Sequence, residues 1–218
     1  MSDTARPLLA MAALREPWEE LERQREAASF GMWVFLASEI LFFSGLFLAY
    51  VVYRALYQGP MVEAARHADF FYGTLNTAIL MTSSLTLVLA ARGGEAGFRR
   101  LALWCLAATI ALGFGFIVVK GFEYAKDISD HLLPAYNFDL EPPETVLFWG
   151  FYWVATGLHA CHVTVGIALI ARLLFQGLRR TLPLETSPAV EATALYWHLV
   201  DIIWIFLYPC IYLVGRAS

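Results

Sequence analysis

Five apolar runs without a single lysine or arginine divide this chain: about Phe30 to Tyr53, Phe70 to Ala91, Leu101 to Val119, Val146 to Ala171 and Ala194 to Val214. Each holds roughly 19–26 residues, which at the helical rise is enough to cross a bilayer's hydrocarbon core. Lipid offers no partner to backbone N–H and C=O groups, so each run must satisfy its own and is expected to be a helix. The short alternating segments of an outer-membrane barrel are absent. The spacing therefore predicts an all-α membrane protein, a bundle of five transmembrane helices over residues 30–214, preceded by a polar segment over residues 1–29. Once the runs are set aside, no length remains for a second soluble domain; 59% of the 218 residues are hydrophobic.

Orientation follows from the basic residues. The side holding the N-terminus carries Arg6, Arg15, Arg23, Arg25, Arg92, Arg99, Arg100, Arg172, Arg179 and Arg180, whereas the other carries Arg54, Arg66, Lys120, Lys126 and Arg216. The positive-inside bias puts the N-terminus in the cytoplasm and the C-terminus on the outer, periplasmic side. Residues 1–29 hold several acids and no continuous apolar stretch of the kind a secretory signal requires. Within them Leu14, Trp18, Leu21 and Arg25 recur at helical spacing. Glu16 to Ala28 reads either as an amphipathic helix on the cytoplasmic surface or as a short helix docked on a partner or on the bundle. The longest outer loop is expected from Gly121 to Thr145, broken by Pro134, Pro142 and Pro143.

A net charge of −4 gives no reason to expect nucleic acid. Cys105, Cys161 and Cys210 all fall inside apolar runs and lack CxxC spacing, so they read as core or lipid-facing residues rather than a disulfide framework. No P-loop, GxGxxG or CxxCH haem-attachment motif occurs.

The informative residues are the ionisable ones inside the runs, because a charge at bilayer depth costs about 2.5–3.5 kcal/mol on insertion scales. Glu39 lies near the middle of the first run with no basic residue in that run. It reads as a proton-relay or gating carboxyl, or as a protonated packing residue bonded to a neighbouring helix. His159 and His162 stand three apart on the fourth run and project from one face. That spacing suits a metal pair completed by a carboxylate elsewhere, but two ligands are too few alone. The other reading is interhelical hydrogen bonding, to Glu39 or to Asp201. Ala155 and Gly166 on the same face favour close helix approach. His198 and Asp201 open a stripe on the fifth run that continues through Ile205, Tyr208 and Tyr212, a pattern expected of a packing seam. Lys120 and Glu123 straddle the end of the third run at i,i+3 and read as an interface pair or a lipid head-group contact. Asn76, Ser83 and Ser84 are expected to bond between helices. On the residues alone an independent proton-coupled transporter using Glu39 and Asp201 also stands, though the helix interruptions and repeat symmetry of transporters are missing. So does an intramembrane metalloenzyme on His159 and His162.

Several stretches together resemble subunit III of the haem–copper terminal oxidases. They are Trp33 to Tyr50 (WVFLASEILFFSGLFLAY), Leu75 to Leu89 (LNTAILMTSSLTLVL), Gly113 to Tyr124 (GFGFIVVKGFEY) and Tyr196 to Leu213 (YWHLVDIIWIFLYPCIYL), with GLHACHVTVG similar to the family's paired-histidine helix. The resemblance runs in order over about residues 30–214. The longer family form has seven helices; the Ser38-Glu39 motif of its third helix stands on this chain's first, which looks like the short bacterial form. The resemblance implies a non-catalytic subunit in a bacterial inner membrane, with no cofactor of its own. Haem and copper would belong to partner subunits I and II. Its implied roles are stabilising subunit I, holding phospholipids and sustaining proton uptake. The family's membrane carboxylate falls on Glu39, its paired histidines on His159 and His162, and its terminal pair on His198 and Asp201. The family serves cytochrome c oxidases and quinol oxidases, and one branch accompanies nitric oxide reductases; the motifs do not choose among them.

Overall fold

In the computed structural model the chain is helical from end to end of its membrane part. The structure describes residues 21–134, 138, 140, 142–182 and 187–216. Six helices are present among the described residues: α1 (Leu21–Leu56), α2 (Gln58–Arg66), α3 (Phe70–Glu95), α4 (Arg99–Ser129), α5 (Thr145–Leu178) and α6 (Pro188–Tyr208). A π-helical turn, Pro209–Leu213, and a 3₁₀ turn, Val214–Arg216, close the chain. All but α2 are long and apolar enough to cross a membrane, and no strand occurs among the described residues.

Four of the five spanning helices are longer than the apolar runs that announce them. Hydropathy marks where a helix meets lipid, whereas a helix ends where the backbone loses its bonds. α1 is already helical at Leu21, so residues 21–28 of the expected surface helix run unbroken into the first span; residues 16–20 lie outside the described residues. Glutamate, arginine, glutamine and alanine there are good helix formers, and no Pro or Gly intervenes. Likewise α4 runs on to Ser129, which removes residues 121–129 from the expected outer loop. α2 was not expected at all; Pro60 sits in its first turn, where a missing N–H costs nothing.

Buried positions on α4 keep one spacing throughout: Ala102, Leu106, Thr109, Gly113, Phe116, Lys120, Glu123 and Asp127. That stripe passes from apolar to charged without leaving the bundle interior. By contrast α1 buries chiefly Leu36, Phe43 and Tyr50, seven residues apart, and turns Trp33, Leu41 and Leu48 outward. The most enclosed span is the last, whose Trp197 and Trp204 are fully buried. Gly166 on α5 makes room for Trp197: a Cβ there would stand 2.7 Å from the indole. At Pro209 the ring lacks an N–H and would crowd the carbonyl four residues back, and the chain widens into the π turn instead.

Asp69 joins α3 to α4 at the end of the bundle that holds α2 and the C-terminus. Its Oδ1 accepts the N–H of Phe71 at 3.0 Å, capping α3, and its Oδ2 takes a hydrogen bond from Lys126 Nζ at 2.6 Å. Burial pushes this carboxyl up, but the hydrogen bonds from Lys126 and Phe71 outweigh it and hold it below the usual 3.8. A lowered folded-state value contributes stability above the ordinary aspartate range, and that stability is lost as pH falls through the lowered value. Asp69→Ala is expected to cost about 0.5–2 kcal/mol at neutral pH, as for other lost caps. The difference from wild type should shrink in acid, as read by thermal melting in mild detergent. A difference that is constant down to strong acid would show that the charge on Asp69 contributes nothing.

Candidate functional site: the polar interior of the bundle

The ionisable residues inside the spans fall into three groups. In the first, Glu39 on α1 meets His162 on α5, with Oε2 3.1 Å from Nε2. His162 Nδ1 lies 2.8 Å from the carbonyl oxygen of Leu158. A carbonyl only accepts, so Nδ1 carries a hydrogen and Nε2 faces the carboxyl. The pair then shares one proton: either Glu39 donates to a neutral ring or a charged ring donates to a carboxylate. Phe43 packs edge-on against the imidazole at 5.5 Å, and Tyr196 donates to the His162 carbonyl at 3.0 Å. Of the two partners weighed for the paired histidines, Glu39 and Asp201, it is Glu39 that meets His162.

His159 belongs elsewhere. It is fully buried between Phe116 and Trp204, with ring centroids at 5.5 and 4.9 Å, and neither ring nitrogen has a hydrogen-bond partner among the described residues. The two histidines thus leave α5 in different directions, one towards α4 and α6 and the other towards α1. Among the described residues no three His, Cys, Asp or Glu side chains gather where a metal ion could be held. Cys105, Cys161 and Cys210 are free thiols.

A second group is the ladder between α3 and α6. Ser84 Oγ and His198 Nδ1 share a hydrogen bond at 2.7 Å, and Trp197 Nε1 donates to Ser83 Oγ at 3.2 Å. Trp204 Nε1 donates to Thr77 Oγ1 at 3.0 Å, and Thr74 Oγ1 and Tyr208 Oη lie 2.9 Å apart. Ser83 and Ser84 bond between helices as expected. Asn76 is fully buried but has no partner for either amide atom among the described residues. The expected stripe on the last span is corrected. Ile205 is 44% exposed, and the seam runs instead through Trp197, Asp201 and Trp204. Asp201 lies beside Ser84, whose hydroxyl is taken by His198, and neither carboxyl oxygen has a hydrogen-bond partner among the described residues.

The third group was not legible as a group. Lys120 and Glu123 pair at 3.1 Å, but each is only 1% exposed, so the expected exposed interface pair is an internal one. Lys120 Nζ donates to Tyr152 Oη at 3.1 Å and to Tyr212 Oη at 3.0 Å, and stands 4.4 Å from the Tyr152 ring centre and 4.9 Å from that of Tyr124. Glu123 Oε1 lies 2.7 Å from Tyr212 Oη and 2.9 Å from Tyr152 Oη, and Asp127 Oδ2 lies 2.5 Å from Tyr152 Oη. The cluster joins α4, α5 and the C-terminal π turn. Tyr212 reaches it because that turn swings the ring inward, where it packs over Gly73 of α3. Only the continued spacing of Lys120, Glu123 and Asp127 along α4 signals it in the sequence.

The fold and these groups define a polytopic, all-helical membrane protein whose buried polar side chains mostly bond to one another across helix boundaries. Residues 22–216 match the family model described as cytochrome c oxidase subunit III. The chain is 32% identical over 191 residues to cytochrome c oxidase subunit 3 of Bacillus subtilis (strain 168), an alignment that spans 86% of each chain. Against the protein of the same name from Bacillus sp. (strain PS3) it is 29% identical over 190 residues, again 86% of each. With that of Gadus morhua identity is 32% over 197 residues, 85% of this chain and 69% of the fish protein. The chain therefore belongs to the cytochrome c oxidase subunit III family, and with it to the membrane part of the aerobic respiratory chain.

Proposed function

We propose that this chain is the accessory subunit of a proton-pumping haem–copper oxygen reductase in a bacterial plasma membrane. In that complex the haems and copper reside in subunits I and II. The chain stabilises subunit I, binds phospholipids and sustains proton uptake, with its N-terminus in the cytoplasm. The observation that carries this reading is the family match across all five spans. The outward face of α1 supports it: Phe30, Trp33, Leu41 and Leu48 are each more than half exposed, an apolar surface suited to lipid or to another membrane subunit. Glu39 and His162 pair on the α5-facing side of α1, behind that surface and still about a fifth exposed, which supports a lipid- or proton-related role for the pair. His159 and Asp201, fully enclosed, and His198, half-buried and bonded to Ser84, serve the bundle itself.

An affinity-tagged chain extracted from its native membrane in mild detergent is expected to bring down larger membrane subunits and their haem absorbance. Recovery of the chain alone, with no haem in the eluate, would sink the proposal.

A further inference from the structure

The cluster around Tyr152 has too few hydrogens if both of its carboxyls are ionised. Tyr152 Oη stands within hydrogen-bonding distance of Lys120 Nζ, Glu123 Oε1 and Asp127 Oδ2, at 3.1, 2.9 and 2.5 Å. Lysine only donates, so both carboxyl contacts must be bridged by hydrogens that come from the phenol or from the carboxyls. A phenol has one. Tyr212 adds none, since its own hydrogen goes to Glu123 Oε1 at 2.7 Å while its oxygen accepts from Lys120. One of the two contacts at Tyr152 is therefore oxygen against oxygen, without a hydrogen, unless a carboxyl brings one.

Charge points the same way. Lys120 and Glu123 neutralise each other at 3.1 Å. Asp127, 3% exposed, would add an uncompensated negative charge among side chains that are nearly all enclosed. The groups that face it are Lys120, Glu123 and Tyr124 on α4, Asp130 just past its end, Tyr152 on α5 and Tyr212 on the π turn. Of these the single cation is already matched. Lys126, the next residue, is turned to Asp69 at 2.6 Å.

We infer that the Lys120–Glu123–Asp127–Tyr152–Tyr212 cluster is a proton-binding site that holds one proton on the Asp127–Glu123 pair through Tyr152. In the resting arrangement Asp127 carries it, because Glu123 is the carboxyl against the ammonium. Asp127 donates to Tyr152 Oη, and Tyr152 passes its own hydrogen to Glu123. Binding is simple protonation, a carboxylate plus a proton giving a carboxyl, and the hydrogen bonds through Tyr152 join the two acids. Asp127 lies two turns beyond Lys120 towards the α2 end, so the proton is exchanged with water on that side. Its loss leaves a net negative charge at the junction of α4, α5 and the C-terminal turn.

The test is infrared difference spectroscopy with thermal melting, on the full chain purified with the subunits that accompany it. Wild type is expected to show the carbonyl stretch of a protonated carboxyl at neutral pH that disappears in Asp127→Asn. The asparagine amide donates to Tyr152 as the acid does, so this variant should melt as wild type does at neutral pH and lose most of the wild-type decline in alkali. In Glu123→Gln the ammonium loses its carboxylate, Asp127 ionises to replace it, and the same band should vanish although Asp127 is present. A neutral-pH spectrum without an Asp127-dependent carboxyl band would overturn the inference. So would a band that survives in Glu123→Gln. If Asp127→Asn fails to assemble, the presence of the band in wild type and its loss in Glu123→Gln decide the matter.

Discussion

Replacing Lys120 with alanine is expected to destabilise the bundle by about 3–5 kcal/mol, the range for breaking a buried ion pair from one side. The ammonium is 1% exposed, so water cannot take its place. Its removal strands the Glu123 carboxylate and withdraws the hydrogens it gives to Tyr152 and Tyr212. It also removes a cation held over the faces of Tyr152 and Tyr124, an attraction of about 0.5–2 kcal/mol in desolvated sites. Pairing Lys120→Met with Glu123→Gln should restore much of the stability, because no charge then remains against the Tyr212 hydroxyl. Melting of the purified protein in mild detergent measures both. A single variant that melts with wild type, or a double variant weaker than the single, contradicts the account.

What the sequence makes legible here is set by the solvent each residue meets. The five spans stand out because lipid forbids charge, and Glu39, His159, His162, His198 and Asp201 stand out for the same reason. Helix ends do not, since beyond the hydrocarbon both a helix and a loop are polar; hence residues 21–28, expected as a separate helix, are continuous with α1, and the last turns of α4 stand where a loop was expected. The Glu39–His162 bond was within reach, because an unpaired carboxyl at depth needs a partner and a histidine on another span is the natural one. That His159 points away from it was not, for a spacing of three places two rings on neighbouring lines of a helix without saying which helix meets each line. Asp127 and Tyr152 escape notice, and Tyr212 reads only as part of a packing stripe, because tyrosines and carboxylates near span ends are ordinary interfacial composition. Their meeting depends on the π turn at Pro209, which adds a residue to one turn and rotates Tyr212 off the stripe that regular helical spacing assigns to it.

That dependence makes the C-terminal turn a second place where a small change has a large effect. Gly215 lies in the 3₁₀ turn that follows the π turn, and a Cβ there would stand 2.6 Å from the backbone nitrogen of Arg66 and 2.7 Å from the carbonyl carbon of Ala65. Both are backbone atoms at the end of α2, a helix fixed by the burial of Met61, Ala64 and Ala65, so neither can swing aside as a side chain would. Gly215→Val must lift the chain end off α2, and overpacking of this kind costs about 1–3 kcal/mol. The displacement pulls on two bonds at once: Tyr50 to the Cys210 carbonyl at 2.7 Å, which ties α1 to the turn, and Tyr212 to Glu123. The variant is therefore expected to melt lower and to be cut faster by trypsin after Arg66, whose backbone the displaced turn no longer covers. Gly121→Ala is the matched control, since a Cβ at Gly121 meets nothing within 4 Å and alanine favours a helix interior by about 0.5–1 kcal/mol. If the two glycines respond alike, the close approach at Gly215 is not what holds the chain end in place.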